Sequence, residues 1–109
     1  MTVSLNLVVI RSSDVERAVR FYSQLGLRFH MQRHDGGPDH FSTQIGNTVF
    51  EIYPLSGLGV PSLGVRLGFV VHSLSDVLNN LRDIGVNVIP PRKGNGDIAV
   101  WYKTSMGIK

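Results

Sequence analysis

The stretch VERAVRFYSQLG, residues 15–26, decides how this chain is read. Val15, Ala18, Val19, Tyr22 and Leu25 recur at i, i+3, i+4, i+7 and i+10, which lines one face of a helix with apolar side chains. Ser13, with Glu16 three residues on, makes a capping box at its start. Gly26 is placed to end the helix in a left-handed conformation. Before it, LNLVVI (5–10) reads as a strand. After it, LRFHMQR (27–33) and HFSTQI (40–45) flank the turn-rich DGGPD (35–39), and Gly46-Asn47 leads into TVFEIYP (48–54). The first half is a β-α-β-β-β unit.

A Gly/Pro/Ser-rich connector (54–64) follows, and then the pattern returns. VRLGFVVH (65–72) reads as a strand, and Leu74, Val77, Leu78, Leu81 and Ile84 form a second helical stripe closed by Gly85. A shift of 59 positions lays Val15 on Leu74, Ala18 on Val77, Val19 on Leu78, Tyr22 on Leu81 and Gly26 on Gly85. One offset that aligns an entire stripe and both terminating glycines marks an internal repeat. VNVIP (86–90), the turn PPRKGNGD (90–97) and IAVWYK (98–103) continue the second copy, and TSMGIK (104–109) supplies about half of a further strand. The expected fold is α+β: two βαβββ modules in a single domain over 1–109, module one about 3–54 and module two about 63–109. The second module lacks its last strand. A four-stranded sheet with one helix has only one face covered. Two such modules make a cupped sheet with helices outside and a hollow inside.

Composition narrows the function classes. The chain has 109 residues, 42% of them hydrophobic, and a mean hydropathy of +0.06, which is too apolar for a disordered segment. The formal charge of +3 comes from scattered bases, with Arg92-Lys93 the one adjacent pair. No basic stripe interleaved with aromatics appears, so nucleic acid is not an expected partner. The absence of cysteine removes disulfides, thiolate metal sites and cysteine nucleophiles, and fits a cytoplasmic protein. No apolar run reaches the ~20 residues that span a bilayer. GNG (94–96) is a turn with no following helix to hold phosphate.

The segments LNLVVIRSSDVERAVRFYSQLGL and LGFVVHSLSDVLNNLRDIGV resemble the openings of the two modules of the vicinal oxygen chelate superfamily. The spacing Asp14…Phe21-Tyr22…Leu25-Gly26 carries the resemblance, which covers nearly the whole chain. That superfamily includes glyoxalases, extradiol dioxygenases, fosfomycin-resistance enzymes and bleomycin-resistance proteins, so the resemblance is specific for fold and poor for chemistry. Its enzymes hold a divalent metal with four side chains. The first lies seven residues before the aspartate that opens the first helix, which here is Leu7. The second is the acid of the fourth strand, matched by Glu51. The third lies seven before Ser73, at Arg66. The fourth follows the turn corresponding to Thr104-Ser105-Met106-Gly107 and falls two residues past Lys109. Leucine offers no lone pair and arginine does not deprotonate to ligate. The expectation is therefore no metal and no cofactor.

Glu51 is the odd residue of TVFEIYP. Alternation sets Phe50 and Ile52 on one face and Val49, Glu51 and Tyr53 on the other. With Phe50 and Ile52 under the helix, Glu51 faces the hollow, where an unpaired charge is costly. Arg66 faces the same hollow by the repeat offset. The pair either neutralises the interior as an ion pair or also presents a guanidinium fork to an anionic or carbonyl-bearing ligand. Tyr53 and Trp101 could wall such a pocket. The histidines read more simply: His30 and His34 lie ~13 Å apart along a strand, His34 and His40 could meet across a hairpin, and His72 precedes the second helix. The plainer reading sets them at the surface or rim.

The expected function is metal-free binding of a small organic ligand in the cup, with Glu51, Arg66, Tyr53, Trp101 and Leu7 as the ligand-binding set, in a homodimer that covers the open sheet edge. The alternative is a metal-dependent lyase, isomerase or dioxygenase with a non-standard site built from histidines or a partner chain. A third reading is a dimerising module whose pocket has lapsed.

Overall fold

The computed structural model describes residues 2–33, 35–55, 60–62 and 64–88, together with the backbone of 100–103. Strands β1 (Leu7–Ser12), β2 (His30–Gln32), β3 (His40–Ile45) and β4 (Thr48–Pro54) form one sheet in the order β1-β4-β3-β2, with helix α1 (Val15–Ser23) between β1 and β2. β1 runs parallel to β4, and the other neighbours are antiparallel. The second copy is described as β5 (Arg66–Phe69), α2 (Leu74–Asp83) and β6 (Val100–Lys103). The fold is α+β, a cupped sheet carrying its helices on the outer face.

The helix ends follow local chemistry. Asp14, rather than Ser13, caps α1: its Oδ1 accepts the Arg17 N–H at 3.0 Å. Ser12 Oγ in turn accepts the Asp14 N–H at 3.0 Å. The aspartate satisfies an orphan donor and brings a negative charge to the helix start. In α2 the cap is Ser73, whose Oγ accepts the Asp76 N–H at 3.3 Å. Gly26 and Gly85 close the two helices at φ of +101° and +86°. Beyond Gly85, the Val86 N–H donates to Leu81 O at 2.9 Å and the Gly85 N–H to Arg82 O at 2.9 Å, the paired bonds of a Schellman ending. This is why no strand begins at Val86: its N–H is committed to the helix and its side chain is buried in the core. The other half of that expected strand lies outside the described residues.

Strands are shorter than their apolar runs. Of residues 27–33 only His30–Gln32 pair, while Leu27 and Phe29 pack against the core. Of residues 65–72 only Arg66–Phe69 form β5. The repeat is also completed differently in its two halves. β1 has β4 as its parallel neighbour, but β5 pairs antiparallel with β6. By the 59-residue offset β6 corresponds to β3, so β5 takes as neighbour a strand that in the first module stands one place further away.

One core serves both modules. Ile10, Phe50 and Ile52 from the sheet, Ala18, Phe21 and Tyr22 from α1, and Val77, Leu81 and Val86 from the second copy are all buried in it. Tyr22 meets Phe21 and Phe50 edge-on, with ring centroids 5.0 Å apart in each pair, and Phe69 of β5 lies 5.9 Å from Tyr22. Phe21 is among the most buried side chains although it stands outside the i, i+3, i+4 stripe. Helix α1 sinks deep enough for a wider arc to be covered.

Candidate functional site

The face of the sheet opposite the core is built in rows across the strands. Val8, Ile10 and Ser12 turn to the core side of β1, which leaves Leu7, Val9 and Arg11 on the other face. On β4 the buried residues are Phe50 and Ile52, so Val49, Glu51 and Tyr53 share that open face. Register then sets Leu7 beside Val49 and Gln44, Val9 beside Glu51 and Ser42, and Arg11 beside Tyr53. Beyond Ser42 the second row continues to His30.

The third row is the most ordered. The His40 imidazole stacks on the Tyr53 ring with centroids 4.1 Å apart and planes 7° from parallel. The Arg11 guanidinium carbon lies 5.5 Å from the Tyr53 centroid. Because β1 and β3 flank β4 on opposite sides, Tyr53 stands between a cation and an imidazole. His40 is 1% exposed, and its Nδ1 lies 3.3 Å from Pro38 O. Its Nε2 is 3.9 Å from Glu51 Oε2, and the Glu51 side chain is 16% exposed. The surface or rim expectation therefore fails for His40 and holds for His30 and His72, which are exposed; His34 lies outside the described residues.

The expected partner of Glu51 is corrected here. Among the described residues Glu51 reaches His40 and forms no ion pair with Arg66. Glu51 sits in the four-stranded sheet between β1 and β3, whereas Arg66 is an exposed residue of β5, opposite Lys103 in the two-stranded sheet. The offset made them equivalent in face but could not make them neighbours. Leu7 is half-exposed on β1, opposite Val49. Trp101 is placed by its backbone opposite Gly68, and its side chain lies outside the described residues. Among the described residues, cavities form elsewhere. One of about 360 Å³ is lined by Arg17, Arg20 and Ile84 beside α1. The other, about 200 Å³, lies between Val8, Phe50, Leu67 and Phe69. Neither contains Glu51 or Tyr53.

The profile of the glyoxalase/bleomycin resistance protein/dioxygenase superfamily matches residues 4–108. The chain belongs to that superfamily. Among solved structures, this superfamily member is similar in fold to a protein from the mobile metagenome of V. pseudocholerae, with a TM-score of 0.62, 19% identity, and coverage of 93% of this chain and 84% of that one. It is also similar to a hypothetical protein from S. aureus (TM-score 0.57, 17% identity, 91% and 82% covered). A virulence protein from Salmonella typhimurium matches at a TM-score of 0.57 and 16% identity, with 94% and 86% covered. No curated protein matches this chain by sequence.

Enzymes of this superfamily hold a divalent metal, and the donor set tests whether the residues here fit one. Of the three ligand-matching positions among the described residues, Leu7 has no lone pair and Arg66 cannot ligate, which leaves Glu51 as the donor. Among the described residues no group of three or more His, Cys, Asp or Glu side chains is placed to share an ion. Glu51 with His40 offers two donors at most, short of the three or four that a zinc or transition-metal site takes. The described residues of this superfamily member do not fit the metal.

Sequence reasoning passed over Arg11 and set His40 at the surface or rim. Arg11 was legible in principle, since it continues the alternation Leu7-Val9-Arg11 and ends opposite Tyr53. His40 was not, because its burial depends on a stacking partner that only the β3–β4 register supplies.

Proposed function

We propose that this chain is a metal-free binding protein for a small organic molecule, taken up on the open face of the sheet. The observation that carries the reading is the row Arg11–Tyr53–His40 beside Glu51: charged and planar groups held in fixed geometry on a face that the core does not use. Glu51, Tyr53 and Leu7 belong to that face. Polar groups that fix orientation, set beside apolar Leu7, Val9 and Val49, supply the two kinds of contact that a ligand site uses. The alternative, a metal enzyme with a relocated site, has His40 beside Glu51 in its favour and lacks a third donor among the described residues.

The same reading includes a homodimer. β1 is an edge strand, and an apolar stripe of Val3 and Leu5, 89% and 65% exposed, leads into it. An edge that carries such a stripe invites cover by a second copy. No described helix is long and apolar enough to cross a membrane, and the lack of cysteine supports a cytoplasmic setting.

Elemental analysis of tag-free protein, followed by a thermal-shift screen of small organic acids, amines and neutral compounds, tests the function. Substoichiometric metal with saturable stabilisation by an organic compound is the expected result. A stoichiometric divalent ion retained through purification would overturn it. Light scattering tests the assembly: a mass near twice 12.0 kDa is expected.

A further inference from the structure

Resting on the ligand-binding reading above, we infer that the ligand is a small organic monoanion with an apolar body, and that Arg11 is the residue that receives its carboxylate or sulfonate. Arg11 is exposed on the open face of β1, and among the described residues no carboxylate pairs with it. Its backbone is tied down from both groups. The Arg11 N–H donates to Ser62 Oγ at 3.0 Å, and Arg11 O accepts the Ser62 N–H at 3.0 Å. Its guanidinium lies over Tyr53, which is itself stacked on His40. A guanidinium packed on an aromatic face keeps its edge of N–H donors directed outward, and that fork matches a carboxylate or sulfonate. Because the group is already held, less side-chain freedom is lost on binding.

The neighbouring residues define the rest of the ligand. Leu7 and Val9 precede Arg11 on the same face and are 51% and 40% exposed, so an apolar body extending from the anionic head would run along them. Glu51 stands opposite Val9, one row away. Its carboxylate opposes a second anionic group further along the ligand, which selects monoanions over dianions. Glu51 does not supply the anchor for a cation, because its carboxylate is turned toward His40.

Octanoate, octylamine, octanol and octanedioate, titrated into the full chain by calorimetry, test this. Octanoate should bind about tenfold more tightly than octanol, the effect of one charge-assisted contact, and more tightly than octylamine or octanedioate. Arg11→Gln should bring octanoate down to the level of octanol, and Arg11→Lys should keep part of the preference. A thermal melt of each variant shows that it is folded. If octanoate and octanol bind alike, or octylamine binds most tightly, the monoanion inference is overturned and ligand binding itself stands. The same holds if Arg11→Gln keeps the octanoate preference. If none of the four probes binds, the inference is overturned, and the function it rests on is decided separately by the thermal-shift screen.

Discussion

The His40 imidazole lies parallel to the Tyr53 ring, centroids 4.1 Å apart, and its Nε2 comes within 3.9 Å of the Glu51 carboxylate. One buried histidine thus joins the aromatic and the acidic residue of a single strand. Tyr53 and Glu51 are two apart on β4 and point the same way, and β3 places His40 against both.

Glu51 is coupled to His40 and not to Arg66. Glu51→Gln combined with Arg66→Met should give a stability change equal to the sum of the two single changes, within about 0.5 kcal/mol. Glu51→Gln combined with His40→Asn should depart from additivity by more than that. Urea denaturation of the singles and doubles measures both cycles. Coupling in the first and none in the second would mean that the strand neighbours have been misplaced.

Tyr53 acts through its ring. Tyr53→Leu removes the surface on which His40 stacks and over which Arg11 lies, and should cost about 1–2 kcal/mol, burial and stacking together. Tyr53→Phe keeps the ring and should stay within about 0.5 kcal/mol of the parent. An equal loss in the two variants would assign the effect to the hydroxyl.

Phe21 is a larger core contributor than Leu25. The helical period alone favours Leu25, yet Phe21 is 2% exposed and Leu25 only partly buried. Phe21→Ala should destabilise by about 3–5 kcal/mol. Leu25→Ala should cost clearly less, because part of that side chain already meets water. Denaturation midpoints of the two variants decide the order.

Asp39 carries a pH signature. The Arg33 Nε–H donates to its carboxylate at 2.6 Å, and this bond holds the Asp39 carboxyl below the usual range against the opposing desolvation, with smaller lowering effects from the charges of Arg33 and His40. A carboxylate with a lowered folded-state value adds stability above its unfolded value and loses it as the pH falls through the folded value. The pair is exposed, so the contribution is small. Arg33→Gln should move the Asp39 titration upward, read from its side-chain carbon shifts by NMR. An unchanged midpoint would remove Arg33 as the cause.

Much of the fold was legible because it rests on local periodicity. Two helical stripes, each closed by a glycine, and one 59-residue offset imply a repeat wherever the chain ends up in space. The alternation of Phe50 and Ile52 with Glu51 likewise fixes which face of β4 is buried, since a strand's side chains have only two directions to take. Asp14 shows the limit of even local reading. The sequence Ser13…Glu16 satisfies the capping-box pattern, and the adjacent aspartate caps the helix instead because the β1–α1 turn brings Ser12 Oγ to its N–H.

The site was decided by relations the repeat does not carry. The offset equates Arg66 with Leu7, but equivalence under a repeat is not adjacency, and the neighbours of Glu51 are set by which strands pair. β4 lies between β1 and β3, so Glu51 and Tyr53 meet Arg11 and His40, while Arg66 stands in another sheet opposite Lys103. By itself the sequence determined the elements, their repeat and the face of each strand, all properties of backbone period. Only the tertiary structure decided which side chains stand beside Glu51, because strand order and register join residues far apart in the chain.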